Sequence, residues 1–361
     1  MKRTNILLTL LLMPLPLLAA SLEDIRLPPG FVIEPYAEVP NARSLALGDR
    51  GTVFVGNRKG QSVYAVVAEA GGGTRVIEIL RHLYMPNGIA FHDGALYVAE
   101  INRVTRYANA ESRLDDLPEG EVLNIELPSN TTHGWRYIGF GPDGKLYISI
   151  GAPCNVCDEP GYATIERMNP DGSEREVFAR GVRNSVGFDW DPSTGDLWFH
   201  DNGRDWLGDD LPADELNHAQ QAGLHFGYPY CHAGEIPDPE FGQGRDCQDY
   251  VAPAQKLGAH VAPLGLLFYS GDMFPAQYRG QIFIAEHGSW NRSKKVGYRV
   301  SLVRLEAGVP VSYEPFAEGW LQGESVSGRP VDLLQLADGS LLVSDDAEGQ
   351  LYRISYVGAR E

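Results

Sequence analysis

Short apolar runs that break at a Gly or Asp turn and then resume recur six times along the chain. Each unit is typical of two half-buried strands, because apolar runs of about 4–8 residues bounded by Gly, Asp and Pro form strands and Asp-Gly pairs favour a tight turn. The intervals between the first units are 44, 46 and 50 residues, which suits a four-stranded blade. The pattern predicts an all-β protein, a six-bladed β-propeller. The units begin at Arg43, Asn87, His133, Arg183, Pro263 and Arg329.

Other all-β arrangements fit less well. Helical periodicity is scarce, and its best candidate, 212–222, is short and interrupted. An immunoglobulin-like sandwich is the rival fold, but the matching turns and the length of 361 residues favour the propeller. A strand-like run from Phe31 to Val39 precedes the first unit. We expect it to pair with Leu351 to Tyr356, because this closes the ring and removes exposed sheet edges.

The last two intervals are longer, at 80 and 66 residues, and predict loop insertions at about 201–260 and 270–280. Insertions on one face of a ring are where function and specificity usually reside. No linker rich in Pro, Ser or charge divides the chain. We therefore expect residues 21–361 to form a single propeller domain.

The N-terminus has the form of a secretory signal peptide. A basic start, MKR, precedes an apolar stretch broken by two prolines, and small residues follow at Ala19 and Ala20. The stretch is too short and too broken to span a bilayer, so we predict a signal peptide at 1–20. We expect a periplasmic or secreted protein without membrane insertion. A formal net charge of −18 disfavours nucleic acid and anionic membrane surfaces as partners.

Export permits disulfides, and the chain has four cysteines. Pairing of near neighbours joins Cys154 to Cys157 and Cys231 to Cys247. The CNVC pair has two alternatives, a redox motif or half of a zinc site. Redox pairs usually start a helix, however, and the prolines around this pair indicate a loop. Structural disulfides are the favoured interpretation.

The first residues of the units should converge at one mouth of the channel, where the innermost strand of each propeller blade starts. Guanidinium groups around one cavity repel one another unless an anion or acidic side chains compensate them, and Arg suits bidentate capture of carboxylates or phosphates. A polyanionic small molecule is therefore the expected occupant. The alternative is local pairing, for instance of Arg329 with Asp332. The predicted pocket residues are Arg43, Asn87, His133, Arg183, Asn184 and Arg329.

His133 is the candidate general base of this pocket. It lies in TTHGWRYIGF, where Gly134 and the bulky Trp135 and Tyr137 leave the imidazole at the channel mouth. A neutral histidine with an ordinary pKa near 6.5 can take a proton from a substrate hydroxyl. A purely structural histidine is the alternative, but the ring of polar residues favours the base.

The segment after the fourth unit is rich in carboxylates, with Arg204 among them. Hard oxygen ligands at this density fit calcium, although their spacing is not that of an EF-hand. A solvated acidic loop without metal is the alternative. The acidic residues are Asp201, Asp205, Asp209, Asp210, Asp214 and Glu215.

Several stretches resemble one known family. RYIGFGPDGKLYISIG, NGRDWLGDDLPADELN and AEHGSWNRS are similar to the soluble pyrroloquinoline-quinone (PQQ) sugar dehydrogenases, and most of all to their sorbosone and pyranose dehydrogenase-like branch. The likeness runs from about Arg43 to Tyr356. It implies a six-bladed propeller that holds the quinone across the channel mouth, partly through one calcium ion.

The resemblance also implies roles for single residues. By position, His133 matches the general base and Arg183 the arginine near the reactive quinone oxygen. Asn184 and Arg329 match cofactor contacts. In the fifth unit, His287 or Arg292 replaces a lysine of the glucose enzymes, and the choice between them stays open. Arg43 and Asn87 are candidates for cofactor binding by geometry alone.

For calcium, the resemblance implies the backbone carbonyls of Gly203 and Arg204. The glucose dehydrogenases have proline in place of Arg204, so its side chain must point away from the metal. The side chains of Asp205, Asp209 and Asp210 are further candidates.

The implied reaction oxidises an aldose, or a ketoaldehyde such as sorbosone, with hydride transfer to PQQ. His133 would remove the hydroxyl proton while calcium and Arg183 stabilise the developing oxyanion. A cytochrome or quinone would accept the electrons, because the chain has no CxxCH haem-attachment motif. The alternatives are a calcium-dependent lactonase-type hydrolase, which would need Glu, Asn and Asp at the channel mouth, and a non-catalytic binding propeller.

Overall fold

The computed structural model of the chain describes residues 22–358, in which six antiparallel sheets of four main strands follow one another as the blades of a propeller. The predicted fold is confirmed, and the sandwich alternative is excluded. Helical structure within this range is limited to the short 3-10 turns Leu22–Asp24, Ala110–Ser112, Cys247–Asp249 and Ala276–Tyr278. None of these is long or apolar enough to span a membrane. The predicted signal peptide at 1–20 lies outside the described residues.

The blades follow chain order from the innermost strand outward, except that the outermost strand of blade 6 comes from the N-terminal side of the chain. Blade 1 contains Ala42–Leu47, Val53–Asn57, Val63–Ala68 and Thr74–Leu80. Blade 2 contains Gly88–His92, Ala95–Ala99, Val104–Tyr107 and Glu121–Val122. Blade 3 contains Ile138–Phe140, Leu146–Ile150, Thr164–Met168 and Glu176–Arg180. Blade 4 contains Phe188–Trp190, Leu197–Asp201, Glu215–Ala219 and Gln255–Lys256. Blade 5 contains Pro263–Phe268, Ile282–Glu286, Arg299–Glu306 and Val309–Glu318. Blade 6 contains Pro330–Gln335, Leu341–Asp345, Gln350–Tyr356 and Phe31–Glu38. Smaller strands are Leu224–His225, which extends blade 3, and the ribbons Cys231–His232 with Ile236–Pro237 and Leu321–Gln322 with Ser325–Val326.

The second strand of every blade is buried along its whole length, as in VFVGN of blade 1 and LYISI of blade 3. Such strands are covered by neighbouring blades on both faces, which explains why they read as continuous apolar runs. The turns that precede them carry glycine at positive φ, for example Gly51 at 86° and Gly144 at 72°. Other residues adopt this backbone conformation only at an energetic cost.

The ring closes as the sequence predicts. Phe31–Glu38 pairs antiparallel with Gln350–Tyr356, and Phe31 lies opposite Tyr356. The last blade is thus completed by a strand from the other end of the described chain. Both predicted disulfides, Cys154–Cys157 and Cys231–Cys247, are also confirmed.

The two insertions differ from the prediction in their content and position. The range 201–260 includes two strands of blade 4, Glu215–Ala219 and Gln255–Lys256, so it is not one continuous loop. The range 270–280 joins the first and second strands of blade 5. It therefore lies at the end of the blade opposite the channel mouth where the inner strands start. A role for this second insertion in substrate specificity is not supported.

Candidate active site at the channel mouth

A cavity of about 370 Å³ lies where the inner strands of the blades begin. Four predicted pocket residues from distant segments, Arg43, His133, Arg183 and Arg329, meet in its wall, together with Asn184. The complete lining is Arg43, Arg58, His133, Trp135, Arg183, Asn184, Asn202, Gly203, Asp205, Asp214, His260, Ala262, Leu264, His287, Gly288, Ser289, Trp290, Asn291, Tyr298 and Arg329.

Asp346 joins two arginines and a histidine on one side of the cavity. Its carboxylate accepts from Arg43 at 3.0 Å, from Arg329 at 2.9 Å and from His287 Nε2 at 3.0 Å. Burial acts to raise the pKa of Asp346, but the hydrogen bond from His287 and the charge of Arg43 outweigh it and hold the pKa well below its usual range. Arg329 thus pairs with an acidic side chain, as in the alternative interpretation, but its partner is Asp346 and not Asp332. Asp332 instead accepts the backbone N–H groups of Leu45 and Leu333.

Arg58 is a cavity cation that no carboxylate neutralises directly. Its guanidinium stacks 3.8 Å above the ring of Trp135, and no salt bridge to it occurs within residues 22–358. Its buried Nε atom, like that of Arg329, has no hydrogen-bond partner in this range. Burial and the neighbouring charge of Arg43 lower the pKa of Arg58 to about 10, which still leaves it charged at neutral pH. The cavity therefore presents positive charge and free donors to an anion.

Arg183 is held by the loop that the Cys154–Cys157 disulfide closes. Its guanidinium donates to the backbone and side-chain oxygens of Asn155, each at 2.9 Å. It also donates to the carbonyl of Asn202 at 3.1 Å and to Asp205 Oδ2 at 3.1 Å. A guanidinium has five N–H donors. These four bonds fix its plane and leave one N–H for a ligand.

His133 has its tautomer set by the backbone. Its Nδ1 lies 2.8 Å from the carbonyl oxygen of Ala152, which only an N–H can satisfy, so the lone pair is on Nε2. Burial, followed by the charge of Arg183, lowers the pKa of His133 to about 3 and keeps the ring neutral. Gly151 permits this arrangement, because a Cβ atom there would lie 2.6 Å from that of His133.

The acidic segment does not form a cluster of metal-binding side chains. Asp201 accepts the backbone N–H groups of Arg183 and Asn184, at 2.7 and 2.6 Å. Asp214 accepts those of Gly203 and Ala262, at 2.7 and 2.9 Å. Burial raises the pKa of both carboxyl groups, to about 6 for Asp214. They are structural acceptors that hold the cavity wall.

The remaining carboxylates of the segment also have protein partners. Asp205 lies between Arg183 and Asn291, while Asp209 and Asp210 bind Arg292 and its neighbours in blade 5. Glu215 accepts from the backbone N–H of Ala233. Within residues 22–358 no group of three or more His, Cys, Asp or Glu side chains is placed to hold a metal. The predicted calcium ligation by the side chains of Asp205, Asp209 and Asp210 is therefore not supported.

The backbone calcium site is compatible with the position of its two residues. Gly203 lines the cavity, and the Arg204 side chain turns away to pair with the buried Asp238. This is the orientation that the substitution of proline by arginine requires. Calcium binding by the two carbonyls stays a prediction.

Two predicted cofactor contacts lie outside the cavity. Asn87 is fully buried behind it, where Oδ1 accepts from Arg43 Nε at 3.0 Å and Nδ2 donates to the carbonyl of Arg136. Asn87 therefore positions Arg43 and does not line the cavity. Arg292 faces Asp209 and Asp210 instead of the cavity, whereas His287 lines it. The structure thus places His287 at the site and removes Arg292 from it.

A second ring of residues, absent from the predictions apart from His287, completes the mouth. In blades 1, 4, 5 and 6, the residue directly after the second strand is Arg58, Asn202, His287 and Asp346. In blade 3 it is Gly151, which contacts His133. These residues could have been predicted from the sequence. In an antiparallel hairpin, the second strand ends at the same end of the blade at which the first strand starts.

Comparison with known proteins gives a family match over nearly the whole chain. The sequence model described as TrAA12-like matches residues 26–357. An uncharacterized protein of Borreliella burgdorferi is 33% identical over 349 residues, which cover 92% of this chain and 91% of that protein. A shorter segment, 29% of this chain and 16% of the other, is 30% identical to a pyrroloquinoline quinone-dependent pyranose dehydrogenase of Coprinopsis cinerea.

Solved structures share the fold. A calcium structure of the Trichoderma reesei carbohydrate-active enzyme family AA12 superposes with a TM-score of 0.80 and 21% identity, covering 92% of this chain and 97% of that one. The holo form of the pyranose dehydrogenase PQQ domain from Coprinopsis cinerea gives 0.76 and 20% identity, with the same coverage. At such identity, the likeness establishes the propeller.

Proposed function

Because the chain belongs to the TrAA12-like family, we propose that it is a sugar dehydrogenase that uses PQQ as its electron acceptor. The observation that carries the proposal is the pairing of two features in one cavity. One is the group of cavity arginines, among which Arg58 has no carboxylate partner in the range 22–358. The other is His133, a base that burial keeps neutral. An anionic cofactor and a substrate hydroxyl are the ligands that suit these two features.

The residues present fit a planar polycarboxylate. PQQ carries three carboxylates, and Arg43, Arg58, His287 and Arg329 form one side of the cavity. The buried Nε atoms of Arg58 and Arg329, which lack partners within the described residues, would find acceptors there. Asp346 neutralises part of the charge and thereby limits repulsion between the arginines before the anion binds.

Bound PQQ would supply a two-electron acceptor for the hydride of the oxidised carbon. His133 Nε2 takes the proton of the substrate hydroxyl, because Nδ1 is occupied by Ala152. Arg183, held by Asn155 and Asp205, has one N–H free, and this donor would stabilise the oxygen that gains negative charge. At neutral pH the ring of His133 is in its neutral, proton-accepting form.

Further parts of the proposal rest on the sequence. They are calcium on the carbonyls of Gly203 and Arg204, an aldose or ketoaldehyde substrate as in the pyranose dehydrogenase-like branch, export to the periplasm or the medium, and a cytochrome or quinone as the next electron acceptor. A lactonase-type hydrolase is disfavoured because four arginines line the cavity. A binding propeller would have no need of a neutral base beside Arg183.

The test adds PQQ and calcium chloride to the purified protein and measures both cofactor binding by absorbance and dye reduction with a panel of aldoses and ketoaldehydes. We expect Arg58→Gln to weaken PQQ binding by about 10- to 100-fold, since one charge-assisted bond is lost. Arg292→Gln is the matched control outside the cavity and should bind PQQ like the wild type. If neither binding nor dye reduction appears, the dehydrogenase is ruled out and the binding propeller takes its place.

A further inference from the structure

Two tryptophans at the rim of the cavity are the most exposed large apolar side chains among residues 22–358. Trp206 is 69% and Trp290 is 71% exposed. Their rings contact each other edge to face, with centroids 5.5 Å apart and an angle of 89°. Folding normally buries such side chains, and a paired exposure at a cavity mouth is typical of a binding surface.

The two tryptophans belong to different blades, and a hydrogen bond between their neighbouring residues holds them in place. Trp206 follows Asp205, and Trp290 precedes Asn291, whose Nδ2 donates to Asp205 Oδ1 at 2.7 Å. The same Asp205 accepts from Arg183 at 3.1 Å. One carboxylate therefore fixes both indoles relative to the arginine at the reacting centre.

Further hydrogen bonds join the two loops, and the backbone of Trp206 is strained. Ser293 N–H donates to Asp209 and Arg292 donates to the Asp209 carbonyl, at 3.0 and 2.9 Å. Trp206 itself has φ of 70°, a left-handed conformation that costs a bulky residue energy. The chain thus keeps a strained backbone at Trp206 and two exposed indole rings at the same rim of the cavity, which indicates that a ligand binds there.

The position of the pair relative to the cavity indicates the kind of ligand. Trp290 lines the cavity, whereas Trp206 packs against Trp290 from outside it. The amide oxygen of the adjacent Asn291 is buried and has no hydrogen-bond partner in the described part of the chain. An apolar aromatic surface beside an unpaired acceptor suits the C–H face and the hydroxyl groups of a pyranose ring.

We propose that Trp206 and Trp290 form a binding platform for the second and third units of an oligosaccharide, so that the substrate is the end of a sugar chain and not a free monosaccharide. The proposal rests on the sugar dehydrogenase function above and specifies its substrate class. The reacting unit occupies the cavity beside His133, the next unit packs on Trp290, and a further unit reaches Trp206.

Binding is tested first without cofactor, so that its result is independent of catalysis. Cellotriose, maltotriose and xylotriose are titrated into the protein while tryptophan fluorescence is recorded, and glucose and xylose serve as monosaccharide controls. We expect at least one trisaccharide to change the fluorescence and to bind at least about tenfold more tightly than its monosaccharide, a difference of about 1.4 kcal/mol. Trp206→Ala and Trp290→Ala should abolish this preference, whereas Val309→Ala, an exposed apolar position in the outer strand of blade 5, should retain it.

Turnover is then measured with a small dye as acceptor. Trp206→Ala should raise KM for the trisaccharide about tenfold with kcat unchanged, and leave kcat/KM for the monosaccharide as in the wild type. Monosaccharide oxidation without any preference for chain length would overturn the platform and leave the dehydrogenase intact. Trisaccharide binding without oxidation would support the platform and reject the dehydrogenase. A Trp206→Ala defect seen only with a protein electron acceptor would assign the pair to partner docking and overturn the proposal.

Discussion

His133 shows how one side chain acquires its chemistry from its surroundings. An isolated histidine has a pKa near 6.5 and two possible tautomers. Here the carbonyl of Ala152 fixes Nδ1–H, and burial beside Arg183 removes the positive form from the physiological range. The sequence indicated a base at this position, but its tautomer and its lowered pKa depend on residues 19 and 50 positions away in the chain.

Substitution of His133 should separate binding from catalysis. We expect His133→Ala to fold and bind PQQ like the wild type while kcat falls by about 10²- to 10⁴-fold, because the proton acceptor is lost. Steady-state dye reduction measures kcat, PQQ absorbance measures cofactor binding, and thermal unfolding measures the stability of the fold. Wild-type turnover in the reconstituted variant would remove His133 from the mechanism.

The pKa of His133 is open to direct measurement in the protein without cofactor. Because its folded pKa is lowered to about 3, the ring should stay neutral from pH 8 down to pH 5, where an ordinary histidine is largely charged. The ¹⁵N chemical shifts of the imidazole, assigned by comparison with His133→Ala, report its protonation. Titration near pH 6.5 would contradict the described burial.

Among the structural elements, the loop closed by Cys154 and Cys157 has a role beyond the covalent bond. It presents both oxygens of Asn155 to Arg183, and the backbone N–H of Cys157 donates to the Tyr228 hydroxyl at 2.9 Å. The other disulfide closes a longer segment inside the blade 4 insertion. The two bonds should therefore contribute differently to activity and to stability.

Removal of each disulfide by a pair of Cys→Ser substitutions tests this difference. In the chain-entropy description, loss of Cys231–Cys247 should lower the free energy of unfolding by about 1.5 kcal/mol more than loss of Cys154–Cys157, because the two cysteines are 16 residues apart in the first disulfide and 3 apart in the second. Loss of Cys154–Cys157 should instead reduce kcat, because Arg183 loses its fixed orientation. Thermal unfolding and dye reduction of both variants provide the comparison. Unchanged kcat without Cys154–Cys157 would show that Asn155 keeps its position unaided.

For the whole molecule, closure of the ring creates the site. Arg43 and Asp346 are 303 residues apart in sequence and 3.0 Å apart in the cavity. Asp346 lies just before Gln350–Tyr356, the strand that pairs with Phe31–Glu38. The strand that seals the last blade therefore also supports the anion-binding side of the cavity.

Phe31 provides the test of closure. Its ring makes edge contacts with Phe274, Tyr278, Phe316 and Tyr356, at centroid distances of 4.8, 5.2, 5.1 and 5.0 Å. We expect Phe31→Ala to lower the free energy of unfolding by about 3–5 kcal/mol, the range for a buried aromatic ring. Val32→Ala, at a position 37% exposed in the same strand, should change it by no more than about 0.5 kcal/mol. Urea denaturation followed by tryptophan fluorescence compares them, and equal losses would contradict a sealing role for Phe31.

The sequence by itself determined the six hairpin units, the closing strand, both disulfides and the convergence of Arg43, His133, Arg183 and Arg329. These features follow from local patterns, since apolar periodicity and turn residues specify strands, and a repeat of strands specifies where each blade begins.

Only the tertiary structure decided the partners of those side chains. It placed His287 in the cavity and Arg292 outside it, put Asn87 behind Arg43, and supplied Asp346 as the shared counter-ion. Such choices arise where loops of different blades meet, and a charged side chain there pairs with whichever donor or acceptor the closed ring brings within about 3 Å. No local pattern encodes that encounter, because its partners are tens to hundreds of residues apart in the chain.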